Sequence, residues 1–171
     1  MAEEQTGNGA AAAETTGGAQ FAVQRIYLKD VSFESPNAPQ IFAEQEQPKL
    51  QLNMAQTVNR VGEDTFEVVL TVTVTCAIGE KTVYLVEIKQ AGVFLANGFD
   101  ERNLDYVLAT QCPAIIYPYA RQTVSDLIQG GGFSPFYLQP LNFDALYQEN
   151  LRRRAEQQAG DGAAAPEAGN A

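Results

Sequence analysis

The sequence predicts an α+β fold: a four-stranded antiparallel sheet followed by a long helix and a C-terminal helix. Apolar and polar residues in the front half alternate with a period of two, among many β-branched and aromatic side chains. The back half instead repeats apolar residues at three and four. All strands precede all helices, so no interleaved βαβ pattern calls for a parallel sheet.

The first strand runs from Phe21 to Glu34. Val23, Tyr27, Val31 and Phe33 share one parity, while Ile26 and Leu28 occupy the other. Apolar residues on both parities predict a strand covered on both faces. Ser35-Pro-Asn-Ala-Pro39 breaks it, because proline removes ladder donors. The stretch to Pro48 is long enough to cross a sheet rather than close a hairpin. Lys49–Arg60 is the second strand, with Leu50, Leu52 and Met54 on its buried face. Gly62-Glu-Asp64 turns the chain into Thr65–Ile78, where Phe66, Val68, Leu70, Val72, Val74 and Cys76 share one face. Gly79-Glu80 closes a hairpin into a fourth strand over Lys81–Phe94. A short helix is expected over Asn103–Gln111. The long helix starts at Pro113, which suits a first turn, and stops at Gly130-Gly-Gly132. Pro118 lies in its first turns and invites a kink. After the aromatic loop Phe133–Pro140, Asn142 caps a last helix that carries Phe143, Leu146, Tyr147 and Leu151 on one face. Arg152-Arg-Arg154 sits at its C-terminal end, where cations suit the helix dipole.

Composition narrows the functional classes. The chain has 171 residues, 11 Lys plus Arg against 21 Asp plus Glu, no His and two Cys. Without His there is no Ser-His-Asp or Cys-His nucleophile and no imidazole base. Cys76 and Cys112 alone cannot build a four-thiolate zinc site. They read as packed thiols of a cytoplasmic protein, and no metal or other cofactor is expected. A net charge of −10 opposes binding to nucleic acid and to anionic membrane surfaces. The polar, acidic start is unlike a signal peptide, and no apolar run approaches membrane-spanning length. Residues 1–20 and 155–171 are acidic, lack bases and hold almost no large apolar side chain, so both are expected to be disordered tails around a folded domain over 21–154. Scattered carboxylates at turns give no acid–base pair, so no enzyme is expected. Gly130-Gly-Gly132 follows a helix instead of opening one, which argues against a phosphate loop. What stands out is surplus apolar surface, in the Phe133–Leu138 loop, at Phe42 and on both faces of the fourth strand. It favours an oligomer or a binder of apolar segments.

Four blocks resemble one family. Gln24-Arg-Ile-Tyr-Leu-Lys-Asp-Val-Ser-Phe-Glu-Ser-Pro-Asn-Ala-Pro39 is similar to the opening block of SecB, the bacterial protein-export chaperone family. Glu67-Val-Val-Leu-Thr-Val-Thr-Val-Thr75, Cys112-Pro-Ala-Ile-Ile-Tyr-Pro-Tyr-Ala-Arg121 and Pro140-Leu-Asn-Phe-Asp-Ala-Leu146 resemble three further blocks in the family's order. The resemblance spans essentially all of 21–151. It implies a homotetramer built as a dimer of dimers, without enzymatic activity. It also implies a cytosolic holdase that keeps precursor proteins unfolded and passes them to SecA, the motor ATPase of the export channel. The alternative is an oligomeric adaptor, or a toxin–antitoxin-associated chaperone of the same fold, with one dedicated partner.

Three sets of residues follow as expectations. A groove for unfolded clients needs long apolar walls, and Phe42, Leu50, Leu52, Met54, Phe136, Tyr137, Phe143, Leu146 and Tyr147 are its candidates. Asp30 and Glu34 share a parity, as do Leu85 and Glu87, making an acidic patch around a leucine. In SecB the matching positions contact the basic, zinc-bearing C-terminal tail of SecA, and that zinc belongs to the partner. Tyr84, Val86 and Ile88 of the fourth strand and Ile115, Ile116, Tyr119 and Thr123 of the long helix are expected at the contacts between copies.

Overall fold

The computed structural model describes residues 18–161. The sheet comprises β1 (Gln20–Glu34), β2 (Lys49–Arg60), β3 (Thr65–Ile78) and β4 (Lys81–Asn97). All its pairings are antiparallel, in the order β1-β4-β3-β2. The β1–β2 connection therefore crosses from one edge of the sheet to the other, as its length and prolines predict. It carries a single 3-10 turn at Gln40–Ala43 that buries Ile41. Three helices follow: α1 (Glu101–Ala109), α2 (Gln111–Gly130) and α3 (Phe143–Asp161). This is the expected α+β architecture.

Among the described residues, helices cover only one face of the sheet. Register places Phe66, Val68, Leu70, Val72 and Val74 of β3 beside Phe94, Gly92, Gln90, Ile88 and Val86 of β4 on that face. Val68, Leu70, Val72, Val74, Val86, Ile88 and Phe94 are fully enclosed there, together with Ile116, Ala120, Val124 and Ile128 of α2. Gln90 is buried among them, and its amide donates to the Tyr27 carbonyl at 2.9 Å. Cys76 and Cys112 are buried free thiols, and burial pushes Cys112 up to about 12. α2 continues through Pro118 without a break; Pro118 and Ala114, whose carbonyl loses its partner, are both exposed.

The two-sided reading of β1 is corrected. Two extra residues, Gln24 and Lys29, shift its register against β4. Phe21 and Val23, then Ile26 and Leu28, then Val31 and Phe33 pair with the helix-side residues of β4. The apolar set changes parity twice because the strand bulges twice. It occupies one face. α3 also runs past Arg154 to Asp161. Ala155, Glu156, Gln157, Gln158 and Ala159 bury little, but most are strong helix formers. Residues 1–17 and 162–171, the rest of the expected tails, lie outside the described residues.

Candidate functional site

On the helix side, α2 lies over β4 and β3, leaving edge strand β2 less covered. Leu50, Leu52 and Met54 are opposite Cys76, Val74 and Val72, so they line the helix-side face of β2. Leu50 and Leu52 stay 43% and 45% exposed. Farther along, a cavity of about 490 Å³ opens between β2 and α3. Met54, Phe143, Leu146 and Tyr147 line it with Val58, Leu70 and Leu151. Its polar rim includes Asp105, Asn150 and Arg154.

α3 is held over this cavity by side chains from α1 and α2. The Tyr147 hydroxyl donates to Asp105 at 2.7 Å, and the Tyr106 hydroxyl donates to Asp144. Each carboxylate acceptor raises its tyrosine's pKa, so both phenols remain donors at neutral pH. The Asn142 side chain caps α3 by accepting from the Ala145 amide at 3.0 Å. Phe143 packs edge-on to Tyr117 at 5.7 Å and is almost wholly buried. It is cavity floor, with little surface left for a ligand.

The structure therefore brings four of the nine groove candidates, Met54, Phe143, Leu146 and Tyr147, into one cavity. Leu50 and Leu52 extend its β2 wall. Phe42 belongs to a separate aromatic cluster, 5.1 Å from Phe133, which in turn lies 5.0 Å from Tyr84. Phe136 packs partly against the core, and Tyr137 is exposed in the α2–α3 loop. Leu138 of the same loop is core. Sequence reasoning missed Val58, although the Leu50–Met54 alternation reaches it after the interruption at Gln56. It also missed Asp105 and Arg154, because only the packing of α3 on α1 brings them to the rim. Beside this apolar wall, β2 is an edge strand whose outward backbone groups make no sheet pairing among the described residues. An apolar strip along an unpaired edge suits an extended polypeptide better than a compact ligand.

The opposite, helix-free face holds the acidic candidates together. Glu34 is the register partner of Leu85, Ser32 of Glu87, and Asp30 of Lys89. The Lys89 ammonium lies 3.4 Å from Asp30, and Thr73 donates to Glu87 at 3.1 Å. Lys89 shares the Leu85–Glu87 face of β4 and partly neutralises the patch.

The expectation for contacts between copies is corrected in part. Val86, Ile88 and Ile116 have no accessible surface in the single chain, and Tyr84 has 4%. They point into the core beneath α2, so they have almost nothing to offer another chain. Ile115, Tyr119 and Thr123 lie on the outward flank of α2, with Tyr119 51% exposed. Among the described residues, no helix is long and apolar enough to cross a membrane.

The family model described as preprotein translocase subunit SecB matches residues 14–154. A protein-export protein SecB from Stenotrophomonas maltophilia is 59% identical over 157 residues, covering 92% of this chain and 91% of that protein. Another, from Xylella fastidiosa, is 52% identical across the full length of both chains. Among solved structures, a SecB-like chaperone from Mycobacterium tuberculosis, in complex with a peptide from the HigA1 antitoxin, superposes with a TM-score of 0.60. At 20% identity, over 71% of this chain and 91% of that one, it supports the shared fold.

Proposed function

The chain belongs to the SecB family and is a protein-export chaperone, not an enzyme; from that membership we propose that it holds precursor proteins unfolded in the cytoplasm along the β2–α3 groove. The observation that carries this reading is the row Leu50, Leu52 and Met54, apolar and incompletely covered, running along a free sheet edge into the cavity beneath α3. Folded proteins seldom leave such a strip open unless something covers it. Apolar walls with a flexible methionine accept many sequences, as a chaperone of diverse clients requires. The export relatives match nearly the whole chain at 52–59% identity, which favours general export over a single dedicated partner.

Delivery uses the other face. Asp30, Glu34 and Glu87 around Leu85 present an anionic surface with an apolar centre, suited to the basic, zinc-bearing C-terminal tail of SecA. Charge there sets specificity and association rate more than raw affinity. The chain assembles as a tetramer, with the Ile115–Tyr119–Thr123 flank of α2 between copies. Light scattering that gives a monomer mass at micromolar concentration would refute the assembly. The functional test measures aggregation of several unrelated unfolded proteins, with and without the chaperone, for the native chain and Asp30→Ala. Both are expected to suppress aggregation equally, while Asp30→Ala loses the SecA tail and its salt-dependent binding. Failure to suppress any aggregation refutes the holdase reading. Unchanged tail affinity in Asp30→Ala refutes the docking face.

A further inference from the structure

Asp30 and Glu34 reach the docking face only because β1 bulges at Lys29. Between the two bulges, Arg25 and Tyr27 are opposite Val93 and Ala91 on the helix-free face. Continuing that alternation would send Val31 and Phe33 outward and turn Asp30 and Glu34 toward the helices. The extra residue at 29 reverses the phase, so Asp30, Ser32 and Glu34 face outward opposite Lys89, Glu87 and Leu85.

Something holds the extra residue in place. The Lys29 ammonium donates to both oxygens of Glu67, at 2.7 and 2.9 Å, two strands away on β3. Glu67 also accepts from the Tyr27 hydroxyl and from the Asn59 amide of β2 at 3.0 Å. It is 8% exposed on a face that no helix covers among the described residues, and four donor contacts satisfy its carboxylate. The network ties the β1 bulge to both strands beyond β4. It also draws the Lys29 cation away from the adjacent Asp30. The Asp30 carboxylate accepts from the Val31 amide at 3.0 Å, within the same irregular turn of backbone.

We propose that Lys29 and Glu67 are positioning residues for the SecA-docking face: their ion pair fixes the bulge that turns Asp30 and Glu34 outward beside Leu85 and Glu87. The inference rests on the docking role of that face. Lys29→Gln separates positioning from simple electrostatics. It removes a cation next to an acidic surface, so a charge effect alone would tighten binding of a basic peptide. Positioning requires the opposite.

The experiment titrates the zinc-loaded C-terminal tail peptide of SecA into native chain, Lys29→Gln, Lys29→Arg and Asp30→Ala, with amide hydrogen exchange over residues 30–34. Lys29→Gln is expected to weaken the tail about tenfold, with faster exchange in that segment and unchanged client holding. Lys29→Arg, which keeps the ion pair, is expected to bind within about twofold of the native chain. Lys29 is 43% exposed, so its replacement leaves the core untouched. Equal or tighter binding by Lys29→Gln overturns the proposal while Asp30→Ala still abolishes binding. Full affinity in Asp30→Ala overturns the docking face itself, and the positioning role with it.

Discussion

Replacing Leu50 and Leu52 together with serine tests the groove where the apolar surface is most open. Fully burying a leucine contributes about 1.5–3 kcal/mol relative to leaving it in water. With 43% and 45% of their surfaces exposed, each retains nearly half of that for a bound client, about 1 kcal/mol. The pair then contributes about 2 kcal/mol, or roughly 30-fold in Kd. The costs of ordering a client are common to native and variant proteins, so this difference is firmer than any sum over the groove. Titration of a fluorescently labelled unfolded precursor, with mass checked by light scattering, provides the assay. Val61→Ser is the control: Val61 is 57% exposed at the β2–β3 turn, away from the strip, and its loss should leave affinity unchanged. Client affinity within about threefold of native in the folded double variant would refute the β2 strip as groove wall.

Three adjacent glycines follow α2's apolar repeat, and two make opposite predictions. A Cβ on Gly131 would meet the Phe33 ring at 2.1 Å, where Tyr84 and Phe133 pack around that ring, so Gly131→Ala should cost about 1–3 kcal/mol in denaturant unfolding. Gly130 ends the helix with open space about it, so Gly130→Ala should be neutral or stabilise by about 0.5–1 kcal/mol. The Lys29, Tyr27 and Asn59 donors hold Glu67 at about 2, below its ordinary 4.5, so its stabilisation is complete above pH 4.5 and is lost as pH falls through 2. That loss amounts to about 2 kcal/mol after discounting for the half-exposed Lys29, and Glu67→Gln should flatten the stability curve across this window. Tyr27, raised to about 12 chiefly by its bond to Glu67, gives the opposite limb: its contribution is complete below pH 10 and lost as pH rises through 12.

Regular alternation made β2, β3 and most of β4 legible, down to the register-facing set Leu50, Leu52 and Met54. The same rule misled in β1, where a period of two has no place for an inserted residue. The clue is nevertheless in the chain. Apolar pairs fall at 21 and 23, then 26 and 28, then 31 and 33, each shifted by one. Two insertions account for that pattern without a second covering layer. Counted strand by strand, Tyr84, Val86 and Ile88 read as surplus apolar surface, yet they are buried in the single chain. It is α2, lying over β4, that uses that surface. Glu67 had no sequence signature at all. It reads as one polar residue on a wet strand face until Lys29, Tyr27 and Asn59, up to forty positions away in the chain, converge on it.

β4 explains how one thin sheet could serve two partners without confusing them. Its even positions Val86 and Ile88 are buried beneath α2, on the side of the sheet where the client groove is proposed. Its odd positions Leu85 and Glu87 face the other side, where the motor tail is proposed to dock. Alternation thus places core and docking residues one peptide apart, with their side chains on opposite faces. A surface charge can change on the docking face without disturbing a core methyl group, which is why Asp30→Ala should separate delivery from holding. The arrangement is vulnerable in β1. There a single-residue slip would exchange Asp30 and Glu34 for Val31 and Phe33, damaging the docking face and the core together. The apolar pairs of β1 set its phase from the helix side, Phe33 most firmly through Tyr84 and Phe133, and the proposed Lys29–Glu67 anchor ties the second bulge from the other face, where an error would be most costly.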